Sequence, residues 1–255
     1  MKLNRLLIVL AALLEFSGSA HADLASIFTN AVAAPKAIPR RSSIIVIQYH
    51  GLARGDLSCY GQTNYQTPNL DRLAAEGVRF ANYSGGLDSA ATTAMLLSGA
   101  GSGFAGNEPS VALRLQQSGY HTGLIGEWTF DRQPWLRGFD DFGGFFTDAE
   151  AQDYYAERLW RYPHILYDET NHEQNRVLEH EMLYYNTGGK KGQYLPDFLI
   201  TAMLNFIRNN QPDWANHYRP FFLLVNLPVP RTATTGADDF PVPSDAPFTG
   251  EAWPQ

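Results

Sequence analysis

The sequence predicts an α/β fold, a mostly parallel β-sheet flanked by helices on both faces. Three observations lead there. Apolar runs rich in β-branched or aromatic residues, at Ser42 to Gln48, His121 to Gly126 and Pro220 to Leu227, fit strands buried on both faces. Helical periodicity lies between them, clearest over Pro196 to Asn209, where Phe198, Leu199, Ala202, Met203, Phe206 and Ile207 share a face. Alternating strands and helices build crossover units, and those build parallel sheets. A chain of 255 residues has room for one large domain of this kind or two small ones.

Residues 1–22 read as an export signal. Lys2 and Arg5 form a positive start, Leu6 to Leu14 an apolar stretch too short to span a bilayer, and Ala20-His21-Ala22 a small-x-small cleavage site. The expected product is periplasmic or secreted. No later segment has the roughly 20 apolar residues of a membrane span. Residues 23–41 are alanine-rich with two prolines and read as a linker. The domain then runs from 43 to 255.

The Ser42 to Gln48 strand is followed by His50 and Gly51, at the carboxyl edge where open α/β sheets bind ligands. Thr67 is placed to cap a helix with Pro68 in its first turn, Leu70, Leu73 and Ala74 inward, and Gly77 as its stop. Val78 to Tyr83 reads as a strand. Ser110 to Ser118 reads as a helix carrying Val111, Leu113 and Leu115, stopped by Gly119. Residues 130–193 are aromatic, polar and less regular, and suggest excursions over the active edge. From Pro228 onward the chain reads as loop and lacks a closing strand or helix, so the fold is expected to be incomplete at its C-terminus.

A net charge of −7 without a basic stripe argues against a nucleic-acid partner. Cys59 is the single cysteine, so no intramolecular disulfide forms, and a packed role suits it better than a reactive one. His172 and His180 lie among glutamates and read as a solvated helix face rather than a metal site. Tyr154, Tyr155, Trp160 and Tyr162 are either packing or a sugar-stacking platform.

The stretch Gly85 to Gly99 organises the site. Glycines precede an apolar, small-residue helix, and Ser89 stands at its start. A helix N-terminus offers unpaired N–H groups and partial positive charge, so a hydroxyl there suits a nucleophile facing an anion. The same position suits a simple cap by Asp88 or Ser89.

The residues from Gly55 to Phe80 resemble the N-terminal part of sulfatases, in the alkaline phosphatase superfamily. Gly55-Asp56-Leu57, Cys59-Tyr60-Gly61, Thr67-Pro68-Asn69-Leu70-Asp71-Arg72-Leu73-Ala74 and Gly77-Val78-Arg79-Phe80 carry the likeness. Gly119-Tyr120-His121-Thr122-Gly123-Leu124-Ile125-Gly126, Gly138-Phe139-Asp140, Asp197 to Asn209 and Pro220-Phe221-Phe222-Leu223 extend it in order. Asp140 and Asp141 thereby fall in a structural motif.

The resemblance implies an alkaline-phosphatase-like fold and sulfuric ester hydrolysis. In that chemistry a Cys or Ser is oxidised to formylglycine beside a divalent cation, usually Ca2+, held by two Asp after the first strand. Lys and His side chains bind the sulfate and protonate the leaving oxygen. Carried over, the Asp pair falls on His50 and Gly51, the formylglycine position on Ser89, and the motif arginine on Thr93. The Lys-Trp-His element falls on Glu127-Trp128-Thr129, and a later His on Arg231. A carboxylate at Glu127 facing sulfate is repulsive, roughly 4 kcal/mol for unit charges about 4 Å apart at an effective dielectric of about 20. Asp88-Ser89-Ala90-Ala91-Thr92 also resembles the nucleophile segment of alkaline phosphatases, in which Ser attacks phosphorus directly and His50 would be a Zn2+ ligand.

Three readings follow. The leading one is a degenerate sulfatase-family member with no cofactor and retained affinity for sulfated or anionic glycans. The second is an active sulfate- or phosphate-ester hydrolase using Ser89, with Ca2+ or Zn2+ near His50. The third is a fragment with an exposed sheet edge.

Overall fold

The computed structural model describes residues 41–101, 103–104, 108–130, 132–168, 173–211, 219–231 and 242–244. The export signal, almost all of the linker and His172 lie outside them. Six strands form one sheet: β1 (Ile44–His50), β2 (His121–Glu127), β3 (Asp141–Phe145), β4 (Arg158–Asp168), β5 (Glu173–Met182) and β6 (Phe221–Pro230). Their spatial order is β1-β6-β2-β3-β4-β5. The first four in that order run parallel, and β4 and β5 are antiparallel additions.

The four expected helices are present, with boundaries set by local chemistry, and a short fifth one, at Asp148–Ala151, falls in the stretch expected to be irregular. They are α1 (Pro68–Glu76), α2 (Ser89–Ser98), α3 (Val111–Gln117), α4 (Asp148–Ala151) and α5 (Leu195–Asn209). Ser110 caps α3 by accepting from the Leu113 N–H. Thr67 precedes α1, but its hydroxyl turns to Asp71 and Ser58 and makes no cap bond.

Two cores lie on opposite faces of the sheet. On one, Leu195 and Leu199 of α5 join Leu223, Val225 and Leu227 of β6 and Ile125 of β2, with Phe206 packed alongside. On the other, Leu97 of α2 and Ala112 of α3 join Leu124, Trp128, Phe139, Phe142, Phe222 and Leu224. Strand β6, which lies between β1 and β2, is buried from Phe221 through Pro228, as its apolar run requires.

Several expectations need correcting. β1 is an edge strand, so Ile45, Ile47 and Tyr49 are 44%, 43% and 39% exposed rather than buried on both faces. Leu73 of α1 is exposed. Val78 to Tyr83 is not a strand, and side chains take its carbonyls instead: Tyr60 donates to Phe80 and Arg54 to Ala81. Residues 130–193 contain β3, β4 and β5. His180 therefore lies on a strand, stacked on Trp160, and not on a helix face. Tyr154 is buried and Tyr162 stacks on Trp135, so these aromatics pack the fold. Asp140 holds the Thr122 N–H and Asp141 pairs with His121.

Candidate functional site

Strands β1, β2 and β6 are parallel and end at the same edge, which brings three distant residues together. His50 closes β1, Glu127 closes β2, and Arg231 follows the last residue of β6. His50 Nδ1 lies 2.9 Å from Glu127 Oε2, and an Arg231 Nη lies 3.0 Å from the same oxygen. Arg231 also reaches Asp148, at 3.6 Å, from the first turn of α4. His50 and Glu127 are 5% and 3% exposed, so this cluster is interior.

Neighbouring groups fix its shape. Asn226 of β6 donates to the Glu127 carbonyl at 3.0 Å. The buried Tyr154 hydroxyl donates to the Arg231 carbonyl. The His50 to Glu127 approach is close but poorly aligned for a hydrogen bond. His50 Nε2, Asn226 Oδ1 and Arg231 Nε are buried and have no hydrogen-bond partner among the described residues.

Burial is the largest influence on Glu127 and pushes its carboxyl up. The contacts to His50, Asp148 and Arg231 together outweigh it and hold the group below its ordinary value. Asp148 shifts the other way, raised first by its hydrogen bond to Glu127 and then by burial. Of the two acids, Glu127 therefore carries the charge and Asp148 takes the proton more readily.

The second part of the site is the start of α2. Asp88, not Ser89, is the cap, and its carboxylate accepts the Ala91 N–H at 2.7 Å. Ser89 is the first helical residue, half-buried behind the exposed Leu87 and Asp88. Thr93, 2% exposed, sets its hydroxyl 2.9 Å from the Ser89 carbonyl and 3.1 Å from Gln48 Oε1. The Gln48 amide also donates to the Ser89 carbonyl, at 3.4 Å. Gln48 and Thr93 thus tie α2 to β1 two residues before His50. Thr129 is half-buried beyond β2, and the cluster's contacts do not include it among the described residues.

A sulfatase family model matches residues 42–228. N-acetylglucosamine-6-O-sulfatase of Bacteroides thetaiotaomicron is 34% identical over 202 residues, covering 75% of this chain and 31% of the relative. Human arylsulfatase D is 36% identical over 110 residues, covering 34% and 18%. The chain belongs to the sulfatase family. A solved structure described as bound to its substrate D-glucosamine-2-N,6-O-disulfate superposes with a TM-score of 0.56 at 26% identity, covering 76% of this chain and 36% of that one. The chain thus spans about a third or less of the length of these relatives.

Sulfatases usually use calcium, and the residues here do not fit it. Calcium takes several hard oxygen ligands. His50 and Gly51 stand where the resemblance expects two Asp, and Glu127 already has a guanidinium and an imidazole on one carboxylate oxygen. A lone imidazole nitrogen, His50 Nε2, is likewise too little for zinc. Among the described residues no group of three or more His, Cys, Asp or Glu is arranged to hold a metal.

The site also differs from the expected repulsive pocket. Glu127 is neutralised by its neighbours rather than left facing open space. Sequence reasoning missed Asp148, Asn226 and Gln48. A Thr147-x-x-Glu150 capping pattern marks the helix that carries Asp148. Gln48 and Asn226 are polar residues at the ends of apolar runs, a signal for buried polar roles.

Proposed function

We propose that this chain is an exported sulfatase-family protein that has lost sulfate-ester hydrolysis and binds sulfated or anionic glycans. The observation that carries the loss is the closed cluster of His50, Glu127, Arg231 and Asp148. Sulfate transfer needs cations where charge develops, and here the half-buried Arg231 guanidinium is committed to two carboxyl groups. Three supports bear on the ligand and the location. Relatives are named as N-acetylglucosamine-6-O-sulfatase and N-acetylgalactosamine-6-O-sulfatase. The similar solved structure carries a glucosamine disulfate. The start of the chain has the charge, apolar stretch and Ala20-His21-Ala22 pattern of an export signal.

The test pairs sulfate release with calorimetric binding, using 6-O-sulfated and desulfated hexosamine oligosaccharides. The expected result is no release and preferential binding of the sulfated form. Release that disappears in Ser89→Ala would overturn the loss of activity, and equal affinity for both forms would overturn the ligand. Ser89 at the start of α2 favours a second reading, an active sulfate- or phosphate-ester hydrolase. That reading requires bound Ca2+ or Zn2+ by elemental analysis; a formylglycine route also requires the intact-mass loss of two hydrogens from Ser89.

A further inference from the structure

A sulfated glycan must be met by cations, and Arg231 at the strand ends is committed to Glu127 and Asp148. One cleft beside β4 is lined by Asp141 and Glu181, and another by Glu179 and Glu181, carboxylates that repel an anion. A third cleft has the opposite character. Its volume is about 550 Å3, its walls are drawn from residues 52–60 and 80–84, and among the described residues no carboxylate lines it. Three side chains brace those walls. The Tyr60 hydroxyl donates to the Phe80 carbonyl at 2.9 Å, Arg54 donates to the Ala81 carbonyl at 2.7 Å, and Arg79 donates to the Cys59 carbonyl.

Both guanidiniums lie over the Tyr60 ring, each with its central carbon 5.2 Å from the ring centre, so they are at most twice that distance apart. Arg72, Arg161, Arg219 and Arg231 face carboxylates. Arg54 and Arg79 have no carboxylate partner among the described residues and rest instead on carbonyls and a ring. A guanidinium carries five N–H donors in one plane, and stacking on a ring leaves those at its edge free. Two cations are thus held in place with donors to spare. Leu57, Phe80 and Tyr83 add apolar surface to the cleft, and Phe80 and Tyr83 are largely exposed. Asn82 and Ser84 add hydrogen-bonding groups.

We propose that this cleft is the subsite that reads the sulfate: Arg54 and Arg79 hold a sulfate group while Phe80 and Tyr83 pack on the sugar ring that bears it. The inference rests on the glycan reading and gives it a place outside the Glu127 cluster. The guanidinium fork matches two sulfate oxygens side by side, and an exposed aromatic face suits the C–H face of a sugar. In a chain of net charge −7, a cleft free of carboxylates and flanked by two guanidiniums is complementary to an anion. The cross-braced walls are set before the ligand arrives, so little ordering opposes binding.

The test is calorimetry on the full chain with 6-O-sulfated and desulfated hexosamine oligosaccharides. Arg54→Gln with Arg79→Gln should weaken binding of the sulfated form about tenfold or more and remove the preference for it. Tyr83→Ala should weaken both forms about threefold or more and keep the preference. Arg158→Gln with Arg208→Gln takes two exposed guanidiniums from elsewhere on the surface and should leave both affinities unchanged. Unchanged affinity in the folded Arg54 and Arg79 variant or in Tyr83→Ala, or equal weakening in the Arg158 and Arg208 variant, overturns the cleft and leaves the glycan reading standing. No preference for the sulfated form in wild type overturns both. If circular dichroism shows the Arg54 and Arg79 variant unfolded, phenylglyoxal modification of wild type decides, mapped by peptide mass. Slower modification of Arg54 and Arg79 with the sulfated oligosaccharide present supports the cleft, and equal rates overturn it.

Discussion

Replacing Glu127 by Gln keeps its shape and removes its charge, which isolates the worth of the cluster. At 3.0 Å and an effective dielectric of about 20, the Glu127 to Arg231 attraction is about 5.5 kcal/mol before desolvation is counted. Glu127 and Arg231 side chains are 2% and 19% exposed, so the pair behaves as buried. Removing one partner of such a pair costs about 3–5 kcal/mol, because the other charge is stranded. Arg231 keeps Asp148 at 3.6 Å, which puts the expected loss at the lower end, about 3 kcal/mol. In a domain of this size that lowers Tm by about 6–12 °C. Urea unfolding measures it directly. The pH dependence has a fixed sign. Glu127 is held below its ordinary value of 4.5, so its contribution is complete above that pH and is lost as pH falls below it. The gap between wild type and Glu127→Gln should close in that acid window. A loss under about 1 kcal/mol at neutral pH, or a gap that persists through the acid window, would refute the reasoning.

Other outcomes follow from the same contacts. Asp88→Ala removes the α2 cap and should cost about 1 kcal/mol by urea unfolding, with Asp88→Asn nearly neutral. Gly126 has a φ of +105°, and a Cβ there would overlap the Asn226 carbonyl, so Gly126→Ala should give insoluble or unfolded protein by sedimentation and circular dichroism. His121 is raised above its ordinary 6.5, chiefly by its hydrogen bond to Asp141. Its contribution is complete below that value and is lost as pH rises through the higher folded value, so the Tm advantage of wild type over His121→Asn should shrink on the alkaline side.

The parts of the fold legible in the sequence are those whose burial is uniform. β6 is covered on both faces, so its apolar run is continuous, and α5 buries one face, so its period is clean. β4 and β5 were not legible, for the opposite reason. In β4 Leu159 faces one core while Trp160 and Tyr162 pack on the other, and Arg158 and Arg161 break the run. β5, rich in Glu, Gln and Asn, gains its strand form from nine residue pairs with β4 rather than from its own preferences. Val78 to Tyr83 shows the converse. Its residues favour a strand, but side-chain donors rather than a neighbouring strand satisfy its carbonyls.

The candidate site was half legible. The substitutions at His50, Glu127, Thr93 and Arg231 can be read one by one against the family pattern, and each alone looks like a loss. Their mutual contact cannot be read, because it depends on three strand ends that are 77 and 104 residues apart in the chain. Once they touch, the changes take on a sign. Against the resemblance, β1 has exchanged a carboxylate for an imidazole and β2 an ammonium for a carboxylate, so the anion has moved from β1 to β2. Arg231 then falls beside the new anion and Thr93 fills the arginine position with a hydroxyl bonded to its own helix. A buried carboxylate without partners would be too costly to keep. The three positions are therefore coupled, and returning Glu127 alone to Lys would set an ammonium against the Arg231 guanidinium and remove the partner of His50. The pocket has been rewired around the Glu127 to Arg231 ion pair, which offsets the burial of the carboxylate.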